Sequence, residues 1–321
     1  MEETLLQVRN LSILYETPFG EVNATTGVTF NVNKGESVCL VGESGSGKST
    51  VGLAIAMALP YNARVVSGEV LYRGVDLLRL KEEDRRRYSG REISIVFQDP
   101  AATLNPLFTV GEQITDVLVN NLGLAKEKAV ERARGFLEKV GLPDPDRIMR
   151  SFPHELSGGM LQRVNIAIAT STEPKILVAD EPTTMLDVML QAQILELFDK
   201  LRRDIGLTLV FITHNLGVAS EVSDRIIVMY AGTVVEDGPV NEVISKPMHP
   251  YTVSLLDCVP RTHMKAKKLR SIPGSLPDLS RPLIGCPFAD RCNEMMDKCK
   301  QMPPLVEIAP GHSVSCFKYV R

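Results

Sequence analysis

The stretch Ser37-Val-Cys-Leu-Val-Gly42-Glu-Ser-Gly-Ser-Gly-Lys48-Ser49-Thr50 decides the fold. Ser37–Val41 is a short apolar run bounded by glycine, which reads as a buried strand. A glycine-rich turn follows, and then a predicted helix over Lys48–Leu59. Gly42 to Ser49 fits G-x-x-x-x-G-K-[ST] in the strand–loop–helix setting that the motif requires. Its glycines let successive backbone N–H groups turn toward a phosphate, and the helix N-terminus adds a favourable partial charge. Lys48 is expected to pair with the β- and γ-phosphates, and the Ser49 hydroxyl to ligate Mg²⁺. A plain glycine turn with a solvated lysine would not need the strand before it and the helix after it.

Further short apolar runs separated by helical stretches lie on the C-terminal side. Ile93–Phe97, Lys175–Asp180 and Leu207–Thr213 read as buried strands of a parallel sheet covered on both faces. Leu5–Leu14, Val22–Val32 and Val65–Tyr72 are predicted strands of an N-terminal antiparallel β-layer, and Ile226–Val235 a hairpin about Ala231-Gly232. Between core strands, residues 99–157 read as a helical insertion. Val110–Leu122 and Lys126–Val140 are its helices, the second with an expected apolar stripe of Val130, Ala133, Leu137 and Val140. The fold class is α/β. A large domain built on this sheet is expected over 1–246 and a loop-rich extension over 247–321, which holds ten of the twenty prolines.

Composition excludes several classes. With 36 Lys and Arg against 39 Asp and Glu, the formal net charge is −3, unlike a generally basic nucleic-acid binder. Aromatics total 5% and Trp is absent, which disfavours a base-stacking platform. Lys81–Arg91 mixes both signs of charge and reads as a solvated helix face. The best apolar run, Val51–Pro60, is about half the ~20 residues a membrane-crossing helix needs. Met1–Asn10 lacks the layout of a signal peptide. A cytosolic location with free thiols is therefore expected.

Two more motifs narrow the chemistry. Ile176-Leu-Val-Ala-Asp180-Glu181 is a buried strand ending in two carboxylates. Asp180 suits a Mg²⁺-holding role, and Glu181, one residue beyond, suits polarisation of a water attacking the γ-phosphate. Leu156-Ser-Gly-Gly-Met160 precedes a helix ahead of that strand. Here the chain resembles the ATP-binding subunits of ABC transporters, whose signature is LSGGQ; Met160 departs from it, while Ser157, Gly158 and Gly159 are kept.

That resemblance assigns roles in order along the chain. It implies that ATP is bound by Gly42, Glu43, Ser44, Gly45, Ser46, Gly47, Lys48, Ser49 and Thr50, with Mg²⁺ on Ser49, Gln98 and Asp180. Gln98 takes the Q-loop position and His214 the switch position, with Glu181 as the catalytic carboxylate. Met185-Leu-Asp187 matches the D-loop, Asp187 reaching across to a second subunit. Tyr15 is the residue expected to stack on adenine, with Phe19 as its neighbour. The family closes two ATPases head to tail, so each ATP lies between one subunit's phosphate loop and the other's Ser157-Gly158-Gly159.

Gln98-Asp-Pro-Ala-Ala-Thr-Leu-Asn-Pro106, His249-Pro-Tyr-Thr252 and Gly285-Cys-Pro-Phe-Ala-Asp-Arg-Cys292 carry the resemblance further, to the ATPases of dipeptide and oligopeptide importers. It implies a peripheral protein on the cytoplasmic face of the membrane. Its expected partners are a second, paralogous ATPase, two permease subunits and, indirectly, an extracytoplasmic binding protein, with no nucleic acid. Nickel or oligosaccharide import and a soluble, non-transport ATPase are the alternatives. Cys286, Cys292, Cys299 and Cys316, in a Pro-rich segment, suggest a metal staple. The resemblance implies a [4Fe–4S] cluster, with zinc as the alternative, although no C-x₂₋₄-C pair is present. Cys39 and Cys258 read as packing residues, and His312 as a loop residue rather than a ligand.

Overall fold

The computed structural model describes residues 3–184, 186–258 and 271–320. Twelve strands appear among them: β1 Thr4–Thr17, β2 Gly20–Asn33, β3 Ser37–Val41, β4 Ala63–Tyr72, β5 Val75–Asp76, β6 Ile93–Val96, β7 Ile176–Asp180, β8 Thr208–Thr213, β9 Arg225–Tyr230, β10 Thr233–Pro239, β11 Val306–Ala309 and β12 His312–Val314. They form an antiparallel sheet, β2-β1-β4-β5, and a mixed sheet ordered β11-β12-β10-β9-β3-β8-β7-β6.

In the mixed sheet β9, β3, β8, β7 and β6 run parallel. The strand that feeds the phosphate loop, β3, is thus central, with β8 and β9 beside it. All five of its side chains are buried, and they alternate between two cores. Val38 and Leu40 face the antiparallel layer and the helix Lys48–Ile55, while Cys39 and Val41 face the remaining helices. Two-sided burial explains why these strands read as unbroken apolar runs rather than as alternating ones. At the far edge, β10 pairs antiparallel with β9 through Ala231 (φ 47°) and Gly232 (φ 79°), the left-handed pair that a tight hairpin turn demands. Two strands from the C-terminal extension then add on: β12 to β10 and β11 to β12.

Some details depart from expectation. The first helix ends at Ile55 rather than Leu59, because Met57 turns left-handed (φ 57°) ahead of Pro60. In Lys126–Lys139 the buried positions are Ala129, Ala133, Phe136 and Leu137, and Val130 is exposed. Ala133, Leu137 and Val140 of the expected stripe are buried, and Ala129 and Phe136 complete it in place of Val130, Phe136 supplying more apolar area than Val130 could. His312 is no loop residue: it opens β12, is fully buried, and bonds Glu236 at 2.8 Å.

The four extension cysteines require the largest correction. Cys286, Cys292, Cys299 and Cys316 do surround one space, but it measures about 10 Å³, room for no more than a single water. All four are free thiols, and burial pushes Cys286 up to about 11 and raises Cys292 and Cys316 as well. Among the described residues no group of His, Cys, Asp and Glu is arranged to hold a metal ion. The expected iron–sulfur cluster, and zinc in its place, are thereby withdrawn. Aromatic packing secures the extension instead. Tyr251 and Phe288 close on Tyr230 of β9 with ring centroids 4.6 and 5.2 Å away, and the Glu236–His312 pair lies buried beside β12.

Candidate active site

Val41 leaves the centre of the sheet, and Gly42 follows where β9 leaves no space. A Cβ at Gly42 would stand 2.1 Å from the Met229 carbonyl oxygen. Gly47 closes the loop with φ 92°, and a Cβ there would meet the Ala24 oxygen at 2.3 Å. The helix from Lys48 then starts with no side-chain cap, so its first amides are left for a ligand. Lys48 is buried, and its ammonium donates to the carbonyls of Gly42 (2.8 Å) and Glu43 (2.9 Å) and to Ser46 Oγ (3.2 Å). Burial pulls its pKa down, while Glu181 and Asp180 act in the opposite direction. An open helix start, a glycine turn and a buried ammonium make a cradle for phosphate oxygens.

Two carboxylates face this cradle from the end of β7. Asp180 is buried and accepts a 2.9 Å bond from Ser49 Oγ; burial raises its pKa and that bond lowers it. A hydroxyl and a carboxylate meeting at one point are hard oxygen donors of the kind Mg²⁺ takes. Glu181 sits in left-handed backbone (φ 44°), an unfavourable conformation for glutamate that is tolerated at functional turns. Its Oε2 accepts from Thr184 Oγ1 (2.8 Å) and Gln98 Nε2 (3.3 Å) and lies 3.2 Å from His214 Nδ1. Residues from the ends of β6, β7 and β8 thus converge on one carboxylate oxygen, as expected at the C-terminal edge of a parallel sheet.

Lys48, Ser49, Gln98, Glu181 and His214 line one cleft of about 730 Å³, within the roughly 300–1,000 Å³ usual for small-molecule sites. Tyr15 lines its far side, its hydroxyl 3.2 Å from Thr50 Oγ1, whereas Phe19 is fully exposed. Ser157, Gly158, Gly159 and Asp187 are not among the lining residues. Ser157 precedes the helix Gly158–Thr170, and Asp187 caps the helix Val188–Ile205 through Leu190 N. A Cβ on Gly159 would touch Leu190, so these two helix starts are neighbours. Met160 packs partly buried against the core, which accounts for an apolar side chain at that position. Met185 lies outside the described residues.

Sequence reasoning missed several contributors. Thr184 follows the Asp180-Glu181 pair closely enough to have been suspected. Leu255 and Leu279 of the extension also line the cleft. Tyr251 and Arg291 bond Glu43 from more than two hundred residues away, which only the packed fold brings about.

Comparison with known proteins agrees with this geometry. Residues 25–184 match the family model described as ABC transporter, and residues 235–299 that of the oligopeptide/dipeptide transporter C-terminal region. The chain is 44% identical over 317 residues to the dipeptide transport ATP-binding protein DppD of Bacillus subtilis, covering 98% of this chain and 95% of that one. It is 42% identical to the oligopeptide transport ATP-binding protein OppD of Salmonella typhimurium, covering 98% and 94%. Among solved structures, the ATP-binding cassette MJ0796, a dimer in a post-hydrolysis state bound to ADP and Pi, superposes with a TM-score of 0.66 at 30% identity, covering 73% of this chain and 98% of that one. CbiO1 from Clostridium perfringens, part of an ABC transporter complex, gives 0.64 at 28%, covering 76% and 92%. A glycine-rich loop with a buried lysine and a carboxylate pair at one cleft, on a chain aligned along nearly its whole length with such relatives, place this protein in the ABC transporter ATP-binding family, in the group with the oligopeptide/dipeptide C-terminal region.

Proposed function

We propose that this chain is the ATP-hydrolysing subunit of an importer of dipeptides or oligopeptides, held on the cytoplasmic face of the membrane by permease subunits. The observation that carries the chemistry is the convergence of Gln98, Thr184 and His214 on Glu181, opposite the Lys48 cradle in one cleft. Lys48 and the loop amides bind and orient the triphosphate. Ser49 and Asp180 would hold Mg²⁺, assisted by Gln98, and the ion would neutralise phosphate charge when bound. Glu181, kept oriented by its three partners, accepts the proton of the attacking water.

Ser157, Gly158 and Gly159 do not line the cleft of their own chain, which supports a site completed by the same residues of a second ATPase, with Asp187 at the same junction. A paralogous ATPase, two permeases and an external binding protein make up the assembly in this reading. No helix among the described residues is long and apolar enough to cross a membrane, so attachment falls to those partners. The kinship of DppD and OppD favours peptide as cargo over nickel or oligosaccharide. Reconstitution with the permeases in proteoliposomes tests this: di- or oligopeptide, presented with the binding protein, should raise phosphate release and be taken up. Stimulation by nickel or oligosaccharide alone would reassign the cargo. Full activity without permeases would reject the transport role.

A further inference from the structure

Two extension segments without a catalytic role, His249–Thr252 and Gly285–Cys292, meet at one residue of the phosphate loop, Glu43. The Tyr251 hydroxyl accepts the Glu43 amide N–H at 2.8 Å. Arg291 grips the Glu43 carboxylate with two parallel bonds, Nη1 to Oε2 at 2.7 Å and Nη2 to Oε1 at 3.0 Å. The Glu43 carbonyl in turn accepts from Lys48 Nζ at 2.9 Å. Amide, carbonyl and carboxylate of a single loop residue are therefore all engaged.

Arg291 is equally committed. Its remaining N–H groups donate to Pro273 O (2.8 Å), Ile272 O (3.2 Å) and Tyr230 Oη (3.1 Å), which accounts for all five of its donors. Its side chain is only 6% exposed. A guanidinium with every donor used has one orientation, and lysine could not reproduce it. The extension upstream of Gly285 follows the cleft further. Leu276 stands against Gly45, and the Leu279 carbonyl accepts from Asn23 N (2.8 Å) and Asn23 Nδ2 (3.1 Å) beside the strand of Tyr15.

We propose that Arg291 is a positioning residue for ATP: with Tyr251 it fixes Glu43, and through it the phosphate loop, while cancelling a carboxylate charge that would otherwise face the triphosphate. Glu43 lines the cleft beside Lys48, so its uncompensated charge would oppose binding of a polyanion. The extension is on this account part of the nucleotide site of its own subunit and sets how tightly ATP is held before two subunits close. The inference rests on the Gly42–Thr50 loop being the ATP site.

The test is titration of the full chain with ATP and Mg²⁺, and KM against kcat in the assembled transporter, for Arg291→Gln, Arg291→Lys, Tyr251→Phe and the double variant Arg291→Gln/Glu43→Gln. Arg291→Gln should weaken ATP binding about tenfold or more and raise KM with little change in kcat. Arg291→Lys should fall between, keeping the charge but losing the fork. The double variant should recover most of the loss, because removing the Glu43 charge removes what Arg291 compensates. ATP binding within twofold of the parent in Arg291→Gln, or no recovery in the double variant, would overturn the proposal. If Arg291→Gln does not fold, Tyr251→Phe and Arg291→Lys decide: unchanged KM in both rejects the clamp. Lys48→Ala run alongside separates the premise, since unaltered ATP binding in that variant would mean the loop itself had been misassigned.

Discussion

Replacing Glu181 by glutamine separates chemistry from architecture. Glutamine keeps the length of the side chain and a carbonyl oxygen, so Thr184 and Gln98 can still donate to it and the left-handed turn keeps its shape. The stability cost should stay near that of one weakened hydrogen bond, about 1 kcal/mol. What disappears is the negative charge and the basicity of the oxygen on which three side chains converge. General-base assistance is typically worth 10²–10⁴ in rate, roughly 3–5 kcal/mol of activation free energy. The expected variant therefore melts within a few degrees of the parent, binds ATP, and hydrolyses it at most about a hundredth as fast in the assembled transporter. Slow turnover with intact binding should also trap the closed ATPase pair, visible by size-exclusion chromatography with ATP. Undiminished phosphate release would remove Glu181 from the mechanism. Loss of activity together with a large drop in melting temperature would show that its role is to hold the turn.

Three other perturbations follow from the same contacts. Glu236 is fully buried and accepts from Met248 N, His249 N and His312 Nε2; Glu236→Ala would orphan all three at ~1–3 kcal/mol each, so denaturant unfolding should show a loss of several kcal/mol. A Cβ at Gly42 would collide with the backbone of β9, so Gly42→Ala should abolish measurable ATP binding in a calorimetric titration even where the chain still folds. His249 is buried and held neutral, its pKa pushed down to about 4 by loss of solvent. The unfolded chain then binds a proton that the folded one refuses, so stability should fall as pH drops from about 6.5 to about 4, by roughly 3 kcal/mol at most, and His249→Asn should flatten that slope in acid unfolding curves.

The motif residues were legible because their chemistry is local. A loop that wraps phosphate needs glycines at fixed spacing, and a strand that delivers carboxylates needs an apolar run ending in acid, so Gly42–Ser49 and Ile176–Glu181 announce themselves. His214 and Gln98 could be placed because each follows a core strand, and parallel strands deliver their C-terminal ends to one edge. Between Tyr15 and Phe19 only the packed structure separates positions: Tyr15 lines the cleft, whereas Phe19 sits in the exposed turn before β2. The cysteines misled for the opposite reason. Four thiols in a Pro-rich segment suggest ligation, but spacing does not reveal how much room lies between them.

Sequence by itself therefore determined the fold class and the family, and it put the glycine loop after β3 and two carboxylates at the end of β7, since each depends on side chains close along the chain or on strand order. Only the tertiary structure decided how the extension is built in: β11 and β12 extending the main sheet, Tyr251 and Phe288 packing on Tyr230, and Arg291 reaching Glu43. The reason is physical. A bond between residues 248 positions apart leaves no periodicity to read, and whether an arginine ends in water or on the phosphate loop is fixed by the packing of everything between them.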